Sequence, residues 1–138
     1  MSVGKKFVDV QLVSTADGAK HKLSQLAGKG QPLVLCVYSS SVPDCAPALQ
    51  ALEEHAFSKK HIVFVALNVE DSAAATKDFL RAQGVRSVKS FTGKVPLGKA
   101  GYAVRDGALP FHVVIDESGK VLHCSEDSVA DQFMSLVA

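Results

Sequence analysis

Apolar positions along this chain switch between two periods, and the switching sketches an architecture. Residues 7–12 alternate, with Val8, Val10 and Leu12 on one side and Phe7, Asp9 and Gln11 on the other, which predicts a half-buried strand. Asp17-Gly18 marks a turn, and residues 21–26 bring the chain back through Leu23 and Leu26. Residues 28–32 form a loop by composition. Residues 33–38, Leu-Val-Leu-Cys-Val-Tyr, are an unbroken apolar run between turn residues, the pattern of a central strand buried on both faces. After a polar break at residues 39–43, Leu49, Leu52 and Ala56 recur at helical spacing, with Glu53 and Glu54 on the other side. Residues 61–69 hold a second buried-strand run. Residues 71–83 read as a helix with Asp71 or Ser72 as N-cap and Gly84 as its stop. Residues 85–90 predict another short strand. Residues 91–104, with Gly93, Pro96, Gly98 and Gly101, give no clear pattern. Residues 111–115 are a strand, 116–119 a turn and 120–123 the returning strand of a hairpin. Residues 127–137 close the chain as an amphipathic helix with Val129, Phe133, Leu136 and Val137 inward.

Strands alternating with helices, then a hairpin and a helix, describe an α/β three-layer sandwich with a mixed central sheet. The chain has 138 residues and shows no repeat or linker, so residues 1–138 are read as one domain. Hydrophobic residues at 47% and charged residues at 21% argue for a packed core over disorder. Fifteen Lys+Arg against fourteen Asp+Glu leave a charge of +1, without the basic surplus that gripping phosphate backbones requires. Nucleic acid is not an expected partner. The apolar runs are far shorter than the roughly 20 residues that span a bilayer, and no signal-type apolar block follows Lys5-Lys6. The expectation is a cytoplasmic protein without a membrane partner.

Cys36, Cys45 and Cys124 are too few and too scattered for a disulfide framework. Neither CxxC nor HExxH occurs, and the five histidines fit no metal-ligand spacing. GxGxxG and GxxxxGK[ST] are absent too, so no cofactor is expected. Covalent chemistry, if present, falls to a cysteine. Cys45 directly follows a buried strand and opens a helix. Ser41-Val42-Pro43-Asp44 has capping-box form, and Pro43 suits a first turn, where its missing N–H leaves nothing unpaired. Cys45 then lies near free backbone N–H groups and the positive end of the helix dipole, which favour a thiolate. Asp44 opposes that shift, so a modest depression of the thiol pKa is expected. The alternative is a small apolar residue tucked under the helix.

The order hairpin, strand, cysteine-bearing helix start, strand, helix, Pro-containing strand and hairpin resembles the thioredoxin fold. More narrowly, it resembles the redoxin branch, the alkyl hydroperoxide reductase and thiol-specific antioxidant type. Residues 7–12 with Asp17-Gly18 and residues 23–29 resemble that branch's N-terminal hairpin. Residues 32–38 resemble the strand ending in its active-site loop, and residues 112–121 its closing hairpin. Residues 79–88 look like the corresponding helix-to-strand passage of bacterial thiol peroxidases. The resemblance implies a thiol-dependent peroxidase with Cys45 as the peroxidatic cysteine. Its partners would be a peroxide or thiol/disulfide substrate, a thiol reductant protein and a second copy of the chain.

The active-site motif departs from the family. Where peroxiredoxins carry Pro-x-x-x-Thr-x-x-Cys, this chain reads Tyr38, Val42 and Cys45, and Val42 has no hydroxyl to orient a peroxide. The family's active-site arginine falls at or near Pro110. In the Cys-x-x-Cys register of thioredoxin-type reductases, Val42 takes the attacking position and Cys45 the second. Pro110, preceded by Leu109, resembles the cis-proline that faces the active site in thioredoxins. His112, two residues on, shares its side of the strand and is a candidate to ionise the thiol. Arg105 and Lys99 are further candidate charges. The resolving position of thiol peroxidases falls near Leu80, so an external thiol is the simpler scheme, and a binding module that kept the fold and lost the chemistry is the rival reading.

Overall fold

In a computed structural model, residues 3–70, 72–95, 109–125 and 134–137 are described. Among these residues, seven strands form one mixed sheet in the order β2-β1-β5-β4-β3-β6-β7. The strands are β1 (Gln11–Ser14), β2 (Lys20–Lys22), β3 (Leu33–Tyr38), β4 (Val63–Asn68), β5 (Lys89–Thr92), β6 (Phe111–Ile115) and β7 (Val121–Ser125). The central strands β3 and β4 run parallel, and β6 pairs antiparallel with β3. Every residue of β3 and β6 is buried, which is why β3 reads as an unbroken apolar run; β6 buries His112 among its apolar residues.

Alternation along the strands sorts the side chains into two cores. On one face Val34, Cys36 and Tyr38 of β3 join Phe64 and Ala66 of β4 and Val114 of β6, beneath α1 (Cys45–Ser58) and α2 (Ala73–Ala82). On the other face Leu35 and Val37, Val65 and Leu67, and Phe111, Val113 and Ile115 pack beneath Phe7, Val10, Leu12 and Leu23. A 3-10 turn, Leu23–Gln25, supplies the helical cover there. This is the expected thioredoxin-like sandwich, with helical packing on both faces and the β1–β2 hairpin at one side. Ser72 caps α2 by accepting from the Ala75 N–H at 3.2 Å, and Gly84, at φ +73, ends that segment.

Three expectations change. Strand β1 starts at Gln11, four residues late, because Phe7 is not a solvent-side residue. It is buried against Gly119, and its N–H donates to the Gly119 carbonyl at 3.0 Å. Strand β5 starts at Lys89, because Val85 and Val88 pack under α2 outside any ladder. At the C-terminus Met134–Leu136 is a 3-10 turn with Met134 and Val137 buried, whereas Leu136 is exposed. Val129 and Phe133 lie outside the described residues, as do Lys99 and Arg105. Among the described residues, no helix is long and apolar enough to cross a membrane.

Candidate functional site

Strand β3 delivers the chain to the carboxyl end of the sheet, where Ser39 to Asp44 turn back and α1 begins at Cys45. The capping box expected at Ser41 does not form. The residue before the helix is Asp44, which makes no side-chain cap, and the Ser41 hydroxyl donates to Glu70 Oε2 at 3.0 Å instead. With its one proton committed to Glu70, Ser41 accepts from the Ser39 hydroxyl at 2.9 Å, and its own N–H donates back to Ser39 Oγ at 3.2 Å. Pro47 sits in the first turn of α1, where a missing N–H leaves no bond unmade.

A second residue set ties this loop down. Asn68, the last residue of β4 and fully buried, donates from Nδ2 to Ser40 Oγ at 3.1 Å and accepts the Glu70 N–H on Oδ1 at 3.0 Å. The Val69 N–H donates to the Tyr38 carbonyl at 3.1 Å. Tyr38 is itself buried and stacks on Phe79 of α2, with ring centroids 6.0 Å apart. The carboxyl ends of β3 and β4 are thus stitched together by Ser39, Ser40, Ser41, Asn68 and Glu70. Ligand sites of open α/β sheets are commonly built at such strand ends. Sequence reasoning passed over these residues; the available signal was the polar Asn68 continuing a buried apolar strand.

Cys45 is 0% exposed and packs with Leu49 and Leu52 in the helix-side core. Burial pushes its thiol up, a backbone N–H of Ser39 pulls it down, and the Asp44 and Glu70 carboxylates push it up again; the net direction is upward. The expected depression is therefore reversed. Helix-start position favours a thiolate, but desolvation and two carboxylates outweigh it.

The register places the other candidates. Cys36 lies directly opposite His112 in the β3–β6 ladder, so both project toward the Cys45 side of the sheet, and both are fully buried. Burial first, and the neighbouring Cys45 second, push the Cys36 thiol far up. Cys124 pairs with Val113 and packs in the opposite core, so the sheet separates it from Cys45. Among the described residues, Cys36, Cys45 and Cys124 form no disulfide. The Leu109–Pro110 bond is cis, and Pro110 precedes Phe111, which opposes Val37. Val42 is partly buried against the Cys45 core, and its carbonyl accepts the Cys45 N–H at 3.0 Å.

The sequence pattern of the AhpC/TSA family matches residues 3–124. The chain belongs to that family. No curated protein matches it in sequence. Among solved structures it is similar to a peroxiredoxin-like protein from Aquifex aeolicus (18% identity, 99% of this chain and 86% of that one, TM-score 0.76). It is similar also to a peroxidoxin from Mycobacterium tuberculosis (21% identity, 99% and 96%, TM-score 0.72). A third similar structure is the thioredoxin domain of a thiol-disulfide oxidoreductase from Bacteroides vulgatus (12% identity, 100% and 99%, TM-score 0.72). At these identities the likeness is one of fold. For an AhpC/TSA member the Cys45 surroundings are unusual, since Tyr38 and Val42 stand where the family motif has Pro and Thr, and the arginine that the resemblance implies falls at or near Pro110.

Proposed function

We propose that this protein is a slow, thiol-dependent peroxide reductase with Cys45 as its nucleophile. The reading is carried by the placement of Cys45 at the first residue of α1, with a Ser39 N–H directed at its sulfur, in an AhpC/TSA chain. The Cys45 thiolate attacks one peroxide oxygen and the O–O bond breaks. The leaving alkoxide or hydroxide takes up a proton, which leaves a sulfenic acid on Cys45. An external thiol condenses with it and releases water, and a second thiol exchanges with the mixed disulfide to return Cys45. Two electrons pass from two thiols to one peroxide. We place the cycle in the cytoplasm, where external thiols are kept reduced. Cys124, across the sheet, does not supply the second thiol.

A binding module without chemistry is the second reading, and specific observations favour it: Cys45 is fully buried and faces two carboxylates. Hydrogen peroxide consumption with dithiothreitol as reductant, and mass mapping of oxidised thiols, separate the two. The enzyme reading expects sulfenic acid first on Cys45 and loss of turnover in Cys45→Ser. Unchanged consumption in Cys45→Ser, or first modification at Cys36 or Cys124, leaves the binding reading.

A further inference from the structure

The segments that build the Cys45 site carry one sign of charge. Between Lys29 and Lys59 the chain has neither lysine nor arginine, and none occurs from His61 to Thr76. These two stretches supply β3, the 39–45 loop, α1, β4 and Glu70. Asp44, the residue before α1, makes no side-chain cap, so its carboxylate is not taken up by the helix end. Glu70 is held by the Ser41 hydroxyl, which donates to Oε2 at 3.0 Å, and by its own N–H, which donates to Asn68 Oδ1 at 3.0 Å. Both acidic residues are exposed. Among the described residues, the charged groups that act on the Cys45 sulfur are these two carboxylates. The whole chain has a formal charge of +1, so the anionic character belongs to the site and not to the molecule.

A thiol that exchanges with Cys45 brings its own sulfur against one flanked by carboxylates. An anionic reagent meets repulsion there and a cationic one attraction, an effect carried chiefly in the rate of encounter. Water screens exposed charges, so the selection amounts to a few-fold in rate and not to orders of magnitude. The arginine that the family resemblance implies would select the opposite sign, and Pro110, at or near its position, carries no charge.

We propose that the external thiol that returns Cys45 is cationic, with an ammonium or guanidinium group close to its sulfur. This rests on Cys45 being the nucleophile of the proposed cycle. Two such thiols supply the two electrons. The first condenses with the sulfenic acid and releases water; the second attacks the mixed disulfide, breaks its S–S bond and frees the Cys45 thiolate.

The test is exchange of the reduced full chain with symmetric disulfides, which is that last step in reverse. The probes are cystamine, a dication, hydroxyethyl disulfide, which is neutral, and dithiodiglycolate, a dianion, with the mixed disulfide at Cys45 read by mass mapping. Dividing each rate by that of the neutral probe removes the thiolate fraction and the opening of the loop. Comparison with Asp44→Asn combined with Glu70→Gln removes the intrinsic reactivity of each reagent. Asp44 caps nothing, and the glutamine substitution keeps an oxygen to accept the Ser41 hydroxyl, so the loop contacts survive. At an ionic strength of about 10 mM the cystamine ratio should be about threefold or more higher in the wild type than in the double variant. The dithiodiglycolate ratio should be lower, and both differences should shrink at about 0.5 M salt. The disulfide-linked dimer of the peptide Lys-Cys-Lys is a second cationic probe. Selection retained with it assigns a peptide or protein thiol, and selection with cystamine alone assigns a small aminothiol. Equal ratios in wild type and double variant, or a wild-type preference for dithiodiglycolate, would overturn the proposal while Cys45 still exchanges. Absence of any Cys45 adduct would overturn the nucleophile reading and this proposal with it.

Discussion

Replacing Asn68 by Ala tests whether the Cys45 loop opens as a local unit. Asn68 joins Ser40 and the Glu70 N–H through two hydrogen bonds of 3.1 and 3.0 Å, from a position with no solvent exposure. Each such bond contributes a net of about 1 kcal/mol, and stranding the Glu70 N–H adds to the loss, so the substitution should destabilise by about 2–3 kcal/mol. With a urea m-value of about 2 kcal/mol/M for a domain of this size, the midpoint should fall by about 1–1.5 M. If that loss falls on opening of the 39–45 loop, the open population rises by roughly 30- to 140-fold. Alkylation of the buried Cys45 by iodoacetamide, mapped by mass spectrometry in native buffer, should accelerate by that factor. The control is Leu12→Ala, in the core on the opposite face, which should destabilise by about 2–5 kcal/mol without touching the loop. If both variants accelerate Cys45 equally, the thiol is reached only through global unfolding and the local-unit reasoning fails. A stability loss below about 0.5 kcal/mol in Asn68→Ala would show that the network does not hold the loop.

Asp44→Asn and Glu70→Gln each remove a carboxylate that holds the Cys45 thiol up; both should speed its alkylation near neutral pH, the double variant most, and unaltered rates would refute the electrostatic account. Cys36 remains protonated in the fold above its ordinary value of 9.0, whereas the unfolded chain ionises there, so its stability contribution is intact below pH 9 and declines above it. Between pH 9 and 10 the wild type should lose about 1 kcal/mol more than Cys36→Ala in urea titrations, and parallel pH profiles would contradict the burial of that thiol. Gly93→Ala would bring a Cβ to 2.7 Å from the Gln11 carbonyl oxygen; it should destabilise by about 1–3 kcal/mol, and a neutral urea midpoint would count against the β1–β5 packing.

What the sequence made legible followed burial. Strands β3 and β6 are enclosed on both faces, and the ranges expected for them, 33–38 and 111–115, are those the structure shows. Helix α2 announced itself through Ser72 and Gly84, whose capping and turn chemistry is local. Misreadings arose where a distant residue won. Ser41 has the form of a cap, yet Glu70, 29 positions away, takes its hydroxyl. Phe7 alternates as a solvent-side residue, yet Gly119 leaves room for its ring. The acidity of Cys45 was misjudged for the same reason: helix position is local, but the carboxylate of Glu70 and the lid of core residues arrive through the fold. The side of the sheet taken by Cys124 became visible only with its pairing to Val113.

The chemistry of Cys45 therefore turns on access as much as on charge. In the closed loop the sulfur is dry, and the Ser39 N–H is the favourable contact set against burial, Asp44 and Glu70. Opening the loop would rehydrate the thiol and remove the first and largest of the unfavourable effects, while the carboxylates would be screened by water. The same motion must break the bonds of Asn68 to Ser40 and Glu70 that fasten the loop to β4. Reactivity at Cys45 and integrity of the Ser–Asn–Glu network are then opposed, so a variant that loosens the network should gain reactivity as it loses stability. A peroxide reductase built this way is slow in its resting form, because a thiol that must first be uncovered reacts only in proportion to its open population.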